Sequence, residues 1–359
     1  MQCRNWGRGG LGIRGDFHTC AVRSDGSVWC WGSNGSGQLG DGSTNSSATP
    51  LQVSSLSLAS MVSVGQDFSC ALKQDGTVWC WGAGSAGQLG DGSGVGSNYP
   101  VQVNGIDNAA VLAAGSAHAC VLDGQGTLFC WGSNDHGQLG QGTVGGVQKS
   151  PVQVDVFGNQ FDWVACGQYH TCAGGQSGTY CWGDDSQGQL GNGTGGGSAT
   201  PMAVVGIGPM AVGGTGESTT CAANGSNLLY CWGDNDYGEV GDGTTVDATE
   251  PRLVNFSNPV GMLEGGWKHV CLLDNMGSGL SCWGWNNYGQ LGNGSTTDAT
   301  VPVPVAGLGQ VDGFSAGWYH TCAFDSNGAL WCWGRNRYGE LGLGYTSTSA
   351  NTPQKVSLP

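Results

Sequence analysis

The string "HTCAVRSDGSVWCWGSNGSGQLGDGS", residues 18–43, decides the fold, because close copies of it return six more times along the chain. Its most constant part is Cys-Trp-Gly, whose cysteine stands at positions 30, 80, 130, 181, 231, 282 and 332, so that successive copies are 50 or 51 residues apart. A period this constant is typical of a repeat architecture, in which each copy is one unit stacked on its neighbours. The sequence therefore predicts seven equivalent units.

Each copy contains four short stretches with the composition of β-strands. In the second copy they are "MVSVGQ" at 61–66, "DFSCALK" at 67–73, "TVWCWG" at 77–82 and "VQV" at 101–103. They are rich in β-branched and aromatic residues and are separated by turn residues; we call them strands A to D. Four strands in about 50 residues match a propeller blade, whereas the coils of a β-solenoid are shorter. The sequence therefore predicts an all-β fold, a seven-bladed β-propeller with four antiparallel strands per blade.

The composition excludes several classes of function. Only 10% of the 359 residues are charged, the formal net charge is −15, and the 11 basic residues form no cluster that could neutralise phosphates. Nucleic acids and anionic membranes are therefore poor partners. The 38% apolar residues and 15 tryptophans favour a packed protein over a disordered one, despite 70 glycines. Residues 1–15 lack the apolar run of a signal peptide, so we expect any export signal to lie outside this chain.

Two copies carry a resemblance to a known family: "GSAHACVLDGQGTLFCWGSNDHGQLGQGT" at 115–143 and "GWYHTCAFDSNGALWCWGRNRYGELGLGY" at 317–345. They resemble the repeat of the regulator of chromosome condensation family, in which Gly-x-x-His-(Thr/Ser)-x-Ala-Leu precedes an Asp-Gly turn, an aromatic-x-Trp-Gly and Gly-Gln-Leu-Gly. The resemblance implies a tail at 1–10 and a single seven-bladed propeller at 11–356. Each blade would be one continuous segment, and the ring would close non-covalently. The implied blades span residues 11–53, 58–103, 108–154, 160–204, 209–254, 259–305 and 310–356.

The cysteines favour disulfides, because the chain has 16 of them and no Cys-x-x-Cys. In the first copy a three-residue loop that ends at Gly26 pairs Arg23 with Ser27, and counting outward places Cys20 opposite Cys30, close enough to bond. We predict one hairpin disulfide per blade and an oxidising compartment; reduced structural thiols and a metal site stay open as alternatives. The predicted pairs are Cys20–Cys30, Cys70–Cys80, Cys120–Cys130, Cys172–Cys181, Cys221–Cys231, Cys271–Cys282 and Cys322–Cys332.

Cys3 and Cys166 stand outside this scheme. By alignment Cys166 lies on strand A of blade 4, next to Gly167. A Cys3–Cys166 disulfide would anchor the N-terminal tail to that blade. The alternatives are a buried thiol at Cys166 and an exposed Cys3 that cross-links chains.

No pattern in the sequence predicts catalysis or a bound cofactor. Five of the six histidines occupy one repeat position that Phe68 and Thr219 fill in the other copies, which favours an architectural role as a hydrogen-bond partner of a backbone group between blades. Acidic loops such as "GDDSQGQLGNG" at 183–193 resemble calcium loops, yet none completes the EF-hand pattern, so we predict no metal. Asn-Gly-Ser/Thr at 34, 192, 224 and 293 matches glycosylation acceptors and equally fits turns. Without a nucleophile–base pair or paired carboxylates, we expect no enzyme and no cofactor.

The loop residues that differ between copies predict a binding face. Strand direction places the A–B and C–D loops on the same face of the disc, and the A–B loops of blades 1, 4, 6 and 7 carry aromatic residues there. Aromatic side chains with Arg are the composition of binding hot spots. The predicted binding residues are Phe17, Tyr169, Tyr237, Trp267, Lys268, Trp285, Tyr288, Trp318, Tyr319, Arg335, Arg337 and Tyr338.

These features together predict a secreted or cell-surface propeller, acidic and non-enzymatic, that binds a protein partner through this face. The resemblance implies the same, because secreted bacterial-type members of the family act in this way. Three alternatives stay open: a structural propeller that self-assembles, a guanine-nucleotide exchange factor for a small GTPase, as the family's founding member is, and a glycan-binding module.

Overall fold

The computed structural model describes residues 11–12, 17–156, 160–226, 228–277 and 279–358. Over these residues the regular structure consists of strands, and none of them belongs to a helix long and apolar enough to cross a membrane. Blade by blade, the strands are β1 (Leu11–Gly12), β2 (His18–Val22), β3 (Val28–Gly32) and β4 (Ser47–Gln52); β5 (Ala59–Val64), β6 (Phe68–Lys73), β7 (Val78–Gly82) and β8 (Ser97–Gln102); β9 (Ala109–Ala114), β10 (His118–Asp123), β11 (Leu128–Ser133) and β12 (Val147–Gln153); β13 (Trp163–Cys166), β14 (His170–Gly175), β15 (Gly178–Gly183) and β16 (Ser198–Ala203); β17 (Val212–Thr215), β18 (Thr219–Ala223), β19 (Leu229–Gly233) and β20 (Ala248–Val254); β21 (Val260–Gly265), β22 (His269–Asp274), β23 (Leu280–Gly284) and β24 (Ala299–Pro304); and β25 (Val311–Ala316), β26 (His320–Asp325), β27 (Leu330–Arg335) and β28 (Ser349–Val356).

Each blade is a four-stranded antiparallel sheet whose strands follow the order of the chain. The first strands of neighbouring blades contact one another, including β1 of blade 1 with β25 of blade 7, so the seven sheets form a closed ring. Among the described residues, blades 1 and 7 share no strand, and non-covalent contacts hold the seam. The prediction of an all-β, seven-bladed propeller is confirmed.

The B–C hairpins carry the disulfides. Gly26 has a φ of 79° and the Arg23 N–H donates to the Ser27 carbonyl at 2.9 Å, which closes the turn that the sequence predicts. Cys20 lies directly opposite Cys30, with Cα atoms 4.1 Å apart, and the two form a disulfide. The turn of blade 4 is one residue shorter and that of blade 6 one longer, and neither change moves the cysteines out of register. The other disulfides are Cys70–Cys80, Cys120–Cys130, Cys172–Cys181, Cys221–Cys231, Cys271–Cys282 and Cys322–Cys332.

A β-bulge follows each of these strand-C cysteines and directs a tryptophan at the preceding blade. The pairing of β3 with β4 shifts between Cys30 and Gly32; Gly32 has a φ of 103°, and a Cβ there would collide with the Phe17 carbonyl oxygen. Trp31 is fully buried, and its indole N–H donates to the Glu340 carbonyl of blade 7 at 2.8 Å. Six further tryptophans are equally buried and donate to the blade before them: Trp81, Trp131, Trp182, Trp232, Trp283 and Trp333. Cys-Trp-Gly is therefore the unit that packs one blade against another.

The recurring histidines join neighbouring blades through a hydroxyl group. His18 Nε2 lies 2.9 Å from Ser69 Oγ of blade 2, and that hydroxyl donates to the Gln38 carbonyl at 2.9 Å. Because the hydroxyl has a single proton, we assign the imidazole proton of His18 to Nε2. The same relay runs from His118 to Thr171, His170 to Thr220, His269 to Thr321 and His320 to Thr19. The partner is a side chain of the next blade, where the sequence predicted a backbone group.

The two blades without this histidine are followed by blades without its partner. Blade 2 has Phe68 at the histidine position, and blade 3 has Ala119 where the hydroxyl would stand; Thr219 of blade 5 is likewise followed by Val270 of blade 6. All four side chains are buried. Without the hydroxyl, the buried Nε2–H of the histidine would have no acceptor, at a cost of about 1–3 kcal/mol, so the histidine and the hydroxyl are best present or absent together. Phe68 and Ala119 form an apolar pair, whereas the Thr219 hydroxyl donates to the Asp234 carbonyl of its own blade at 3.0 Å. Neither replacement needs a hydroxyl from the next blade.

In the linker after blade 1, a serine with a left-handed backbone conformation leads to a prediction about stability. Ser55 has a φ of 58°, whereas glycines hold this position in three other linkers, Gly105, Gly206 and Gly307, with φ between 69° and 76°. The left-handed region strains a serine by about 1 kcal/mol. We expect Ser55→Gly to raise the free energy of unfolding by about 0.5 kcal/mol, since a more flexible unfolded chain offsets part of the relief. Urea unfolding measures this change in free energy.

The matched control is Gly105→Ser, because a Cβ at position 105 meets no atom within 4 Å. This variant should lower the free energy of unfolding. Equal urea midpoints for Ser55→Gly and Gly105→Ser would contradict the strain assigned to Ser55.

Candidate functional site

One face of the disc carries both the A–B and the C–D loops. In every blade the first residue after Cys-Trp-Gly donates its N–H to the carbonyl of the last A–B loop residue. In blade 6 the Trp285 N–H donates to Lys268 at 2.7 Å, and in blade 7 the Arg335 N–H donates to Tyr319 at 2.8 Å. These bonds bring the two variable loops of each blade side by side. We call this surface the loop face; the B–C turns lie at the other ends of the strands.

Eight aromatic rings on the loop face form one connected cluster. Tyr319 is its centre, with ring centroids 5.2 Å from Trp267 and 5.8 Å from both Trp285 and Tyr288. Trp285 also contacts Trp267 edge-on at 5.3 Å, and such pairs stabilise beyond the area that they bury. The cluster draws on blades 5, 6, 7 and 1. We call it the aromatic platform: Phe17, Tyr237, Trp267, Trp285, Tyr288, Trp318, Tyr319 and Tyr338.

The propeller framework does not require these rings. At the A–B loop positions that hold Trp318 and Tyr319 in blade 7, blade 2 has Gln66 and Asp67. Blade 3 has Ser116 and Ala117 at these positions. Both blades have the same four strands and the same disulfide as blade 7. The platform is therefore a feature of one half of the ring and is not part of the framework that all seven blades share.

The platform presents its outer members to solvent. Tyr237 is 36% exposed and Tyr338 is 47% exposed, while the other rings are half-buried. Arg337 is exposed beside them, and its guanidinium lies 5.8 Å from the ring centroid of Tyr288. Tyr169, which the sequence groups with these residues, stacks instead on His136 with centroids 4.4 Å apart. Tyr169 is itself 37% exposed, so the predicted binding residues that reach solvent are the outer members of the platform, Arg337 and, apart from the platform, Tyr169.

Arg335 lies beneath the platform and is not one of its surface contacts. Only 7% of it is exposed, and its guanidinium lies 4.3 Å from the ring of Tyr319 and 4.4 Å from that of Phe17. Its Nε donates to Glu340 Oε1 at 2.8 Å, and Glu340 is itself fully buried. The side chain thus clamps blade 7 to blade 1. Its role was hidden in the sequence because Phe17 is more than 300 positions away.

Lys268, also predicted to contact a partner, is engaged inside the protein. Its Nζ forms an ion pair with Asp234 of blade 5, and both side chains are nearly buried. Burial works to lower the pKa of Lys268, but Asp234 outweighs it, so that the pKa lies above its ordinary value. Burial raises the pKa of the neighbouring Glu239 to about 8. The sequence contained a signal for both buried glutamates, Glu239 and Glu340. They replace the glutamine of the Gly-Gln-Leu-Gly motif, and among the seven blades this replacement occurs in blades 5 and 7 alone.

A small cavity lies among the ends of the first strands of blades 3 to 7. Trp318 and Glu217 line it together with Cys166 and the glycines that end the first strands. Burial raises the pKa of Glu217, and the Trp267 side chain, which hydrogen-bonds to it, partly offsets that shift. Cys166 is buried, with Sγ 3.7 Å from the Ala113 carbonyl oxygen. The predicted partner Cys3 lies outside the described residues, so a Cys3–Cys166 disulfide stays a prediction.

One group of side chains near the cavity has the composition of a metal site without its chemistry. His118, Cys120 and Cys166 bring potential ligand atoms within 4.8 Å of one another. Cys120 is bonded to Cys130, and a disulfide sulfur is not the thiolate that zinc requires. These three residues therefore do not form a zinc site.

Comparison with known proteins identifies the repeat. The model of the regulator of chromosome condensation (RCC1) repeat matches residues 25–72, 75–122, 125–173, 226–273, 281–324 and 327–359, and a second model of that repeat matches residues 111–138 and 311–340. The chain is 33% identical over 191 residues to the ultraviolet-B receptor UVR8 of Arabidopsis thaliana. That stretch is 51% of the chain and 43% of the receptor, so the match spans less than half of the receptor's length.

Solved structures share the fold. Prp20p of Saccharomyces cerevisiae superposes with a TM-score of 0.83 at 22% identity, over 94% of this chain and 87% of that one. Human WBSCR16 superposes with a TM-score of 0.82 at 23% identity, over 93% and 95%. The ectodomain of the receptor kinase CR4 of Physcomitrella patens gives 0.59 at 19% identity, over 91% and 73%. With matched repeats along most of its length and seven complete blades, the chain belongs to the regulator of chromosome condensation (RCC1) repeat family.

Proposed function

We propose that the chain is an extracellular or cell-surface propeller that binds a protein partner through the aromatic platform and Arg337, and that it acts by binding and not by catalysis. The observation that carries the proposal is the platform itself, a connected set of eight rings that the blade framework does not need. Tyrosine, tryptophan and arginine are the residues over-represented among binding hot spots. Their rigid rings supply large contact areas at a low cost in conformational entropy.

The disulfides support the extracellular placement. All seven close a hairpin within one blade, and all fourteen sulfurs are buried. Disulfides at this density persist in oxidising compartments and are rare in the cytosol. The fold is compatible with that setting, since the structure of the entire ectodomain of the receptor kinase CR4 superposes on this chain with a TM-score of 0.59.

Relatives of the chain support a protein as the partner. Prp20p is described by its binding to Gsp1p and histones, and a second structure holds the same protein with Kap60. The formal net charge of −15 makes an acidic partner such as nucleic acid unfavourable for this chain. The partner's identity is a matter for capture experiments on the native extracellular fluid.

The combined variant Arg337→Ala/Tyr338→Ala tests the proposal. Both residues are exposed, so their loss should leave the fold intact. We expect the dissociation constant of the captured partner to rise by about 30-fold or more, the effect of losing at least 2 kcal/mol of hot-spot contacts. Biolayer interferometry with the purified partner measures it, and circular dichroism checks the fold.

The matched control is Tyr99→Ala, which removes a tyrosine that is 54% exposed on blade 2, away from the platform. It should bind the partner as tightly as the unmodified chain. If the two variants lose affinity equally, or if neither loses any, the platform is not the binding surface. Capture that disappears after glycosidase treatment of the fluid would favour glycan binding, and concentration-dependent polymers would favour self-assembly.

A further inference from the structure

Three successive blades carry a tyrosine at the same position of the C–D loop, and the residue before it differs in charge. Counted from the strand-C cysteine, the fifth and sixth residues are Asp236-Tyr237 in blade 5, Asn287-Tyr288 in blade 6 and Arg337-Tyr338 in blade 7. The first residue of each pair is exposed. The charge along this edge of the platform therefore runs from negative at blade 5, through neutral at blade 6, to positive at blade 7.

A second exposed carboxylate strengthens the negative end. Asp236 and Asp247 are both exposed, and carboxylate oxygens of these two residues and of Asp234 come within 4.8 Å of one another. Lys268 pairs with Asp234, and its side chain is only 12% exposed. Among the residues that the structure describes, neither Asp236 nor Asp247 forms an ion pair. Two negative charges therefore face solvent at the blade 5 end of the platform without a counter-charge.

Aromatic rings lie beside these carboxylates. Tyr237 directly follows Asp236 in the chain and is 36% exposed. Its ring centroid lies 6.0 Å from that of Trp285, which is half-buried. Ring faces attract a guanidinium group through cation–π contacts, and carboxylates bind it through charge-assisted hydrogen bonds. The blade 5 end thus offers both kinds of group that an arginine side chain prefers.

The chain uses the same combination, with its own cation, at the seam between blades 7 and 1. The guanidinium of Arg335 lies 4.3 Å from the ring of Tyr319 and 4.4 Å from that of Phe17. Its Nε donates to the Glu340 carboxylate at 2.8 Å. The A–B and C–D loops of blades 5 and 6 contain one basic residue, Lys268, which Asp234 already engages. A cation for the exposed carboxylates of blade 5 has to come from another molecule.

We propose that the partner docks with a basic segment over the blade 5 end, where an arginine side chain stacks on Tyr237 and pairs with Asp236, while an acidic group of the partner meets Arg337 at the blade 7 end. This mode of docking rests on the proposed function, since it uses the same platform; it adds the chemistry of the partner and the direction in which the partner lies. Opposite potentials on facing surfaces fix the register of a complex and speed the encounter. Because an exposed ion pair alone is worth little, the ring next to Asp236 is a necessary part of the contact.

Nona-arginine is a defined probe for the blade 5 end. Fluorescence anisotropy of the dye-labelled peptide, titrated with the full chain at low ionic strength, measures its dissociation constant. We expect Asp236→Lys to raise this constant by about 10-fold, because the variant replaces the pairing carboxylate with a like charge. Tyr237→Ala, which leaves the charge unchanged, should raise it by about 3-fold through the lost stacking. Nona-lysine has the same charge without a planar group and should bind about 3-fold more weakly than nona-arginine.

The matched control is Asp135→Lys. Asp135 is exposed and occupies in blade 3 the repeat position of Asp236, so both lysine variants change the net charge by the same amount. Since blade 3 contributes no ring to the platform, Asp135→Lys should raise the dissociation constant of nona-arginine by less than about 2-fold. Circular dichroism checks the fold of each variant. Equal losses for the two lysine variants would show a response to overall charge and overturn the proposal, as would equal affinities for the two peptides or no binding of nona-arginine.

Competition separates this mode of docking from the proposed function. Nona-arginine should displace the captured partner from the full chain, and Asp236→Lys should weaken the partner's binding as it weakens that of the peptide. If Arg337→Ala/Tyr338→Ala loses the partner but nona-arginine does not displace it, the platform is the binding surface and the inferred direction of docking is wrong. If Arg337→Ala/Tyr338→Ala keeps the partner, the proposed function itself fails, whatever the peptide does.

Discussion

Acidification from pH 6.5 to 4.5 is expected to remove about 5 kcal/mol of stability from the propeller. His18, His269 and His320 are fully buried, and burial lowers the pKa of each from 6.5 to about 3. Between these two values the unfolded chain binds protons that the folded chain does not, so each histidine costs about 1.4 kcal/mol per pH unit. Their contribution is complete above pH 6.5 and is lost as the pH falls toward 3.

The hydrogen-bond relay explains why the folded chain does not take up these protons. Each Nε2 already donates to a hydroxyl of the next blade, so a second proton would have to go to Nδ1. The Nδ1 atoms of His18, His269 and His320 are buried and have no hydrogen-bond partner. A proton there would create a buried charge with no acceptor, which is far more costly than protonation in water.

Glu239 works in the opposite direction. Its pKa is raised to about 8, so the folded chain binds a proton that the unfolded chain releases above its ordinary value of 4.5. Its contribution to stability grows as the pH falls from 8 to 4.5, by about 1.4 kcal/mol per pH unit. Subtracting it from the three histidines leaves a net loss of about 2.8 kcal/mol per pH unit in the middle of the range from 6.5 to 4.5. Over the whole range the loss is about 5 kcal/mol, because the slopes are smaller near the unfolded-state pKa values of 6.5 and 4.5.

Urea midpoints measured from pH 7.5 to 4.5 test this expectation, and the chain offers its own control. The double variant His18→Phe/Ser69→Ala gives blades 1 and 2 the apolar pair that Phe68 and Ala119 form between blades 2 and 3. It should fold and should lose stability with a slope smaller by about 1.4 kcal/mol per pH unit. A midpoint that does not move between pH 6.5 and 4.5, or an unchanged slope in the double variant, would refute the role assigned to the histidines.

Glu340→Gln is expected to destabilise the chain by about 3 kcal/mol, although glutamine is the residue of five other blades at this position. The carboxylate is fully buried and accepts the Arg335 Nε–H at 2.8 Å. Without it, the guanidinium would stay buried between Phe17 and Tyr319 with no counter-charge. Removing one member of a buried ion pair costs more than removing both. Urea unfolding at pH 7 measures the loss.

Two further variants separate the ion pair from the substitution as such. Arg335→Ser/Glu340→Gln reproduces the Ser133 and Gln138 pair of blade 3, in which the amide donates to the hydroxyl at 3.4 Å, and should recover most of the loss. Glu239→Gln makes the same change in blade 5, where the new amide can donate to Asp234 as Gln189 donates to Asp184 in blade 4 at 2.8 Å. It should alter stability by less than about 1 kcal/mol, because Glu239 is mostly protonated at pH 7. Equal losses for Glu239→Gln and Glu340→Gln would show that the ion pair is not the cause.

Much of the fold is predictable because its determinants are local. The 50-residue period predicts the seven blades, and the turn at Gly26 predicts which residues of strands B and C face each other. A two-strand register depends on residues about ten positions apart, which the sequence displays directly. The same holds for the loop face, since strand direction alone brings the A–B and C–D loops of a blade together.

The charged residues of the candidate site were harder to predict. Arg335 and Lys268 have the composition of surface contacts, and the binding role of the remaining platform residues stays a prediction to be tested. A neighbouring blade removes each of them from the surface. Phe17 of blade 1 lies against Arg335, and Asp234 of blade 5 forms an ion pair with Lys268. Burial of a charge depends on such distant partners, and no local pattern contains them.

By itself, the sequence determined the number of blades, their four strands and the position of each cysteine opposite its partner, because period and turn geometry act within a single repeat. Only the tertiary structure decided which variable residues reach solvent and which hydroxyl each histidine meets. Those features arise where blades pack on one another. There, burial and desolvation of the assembled ring set the energy of each polar group.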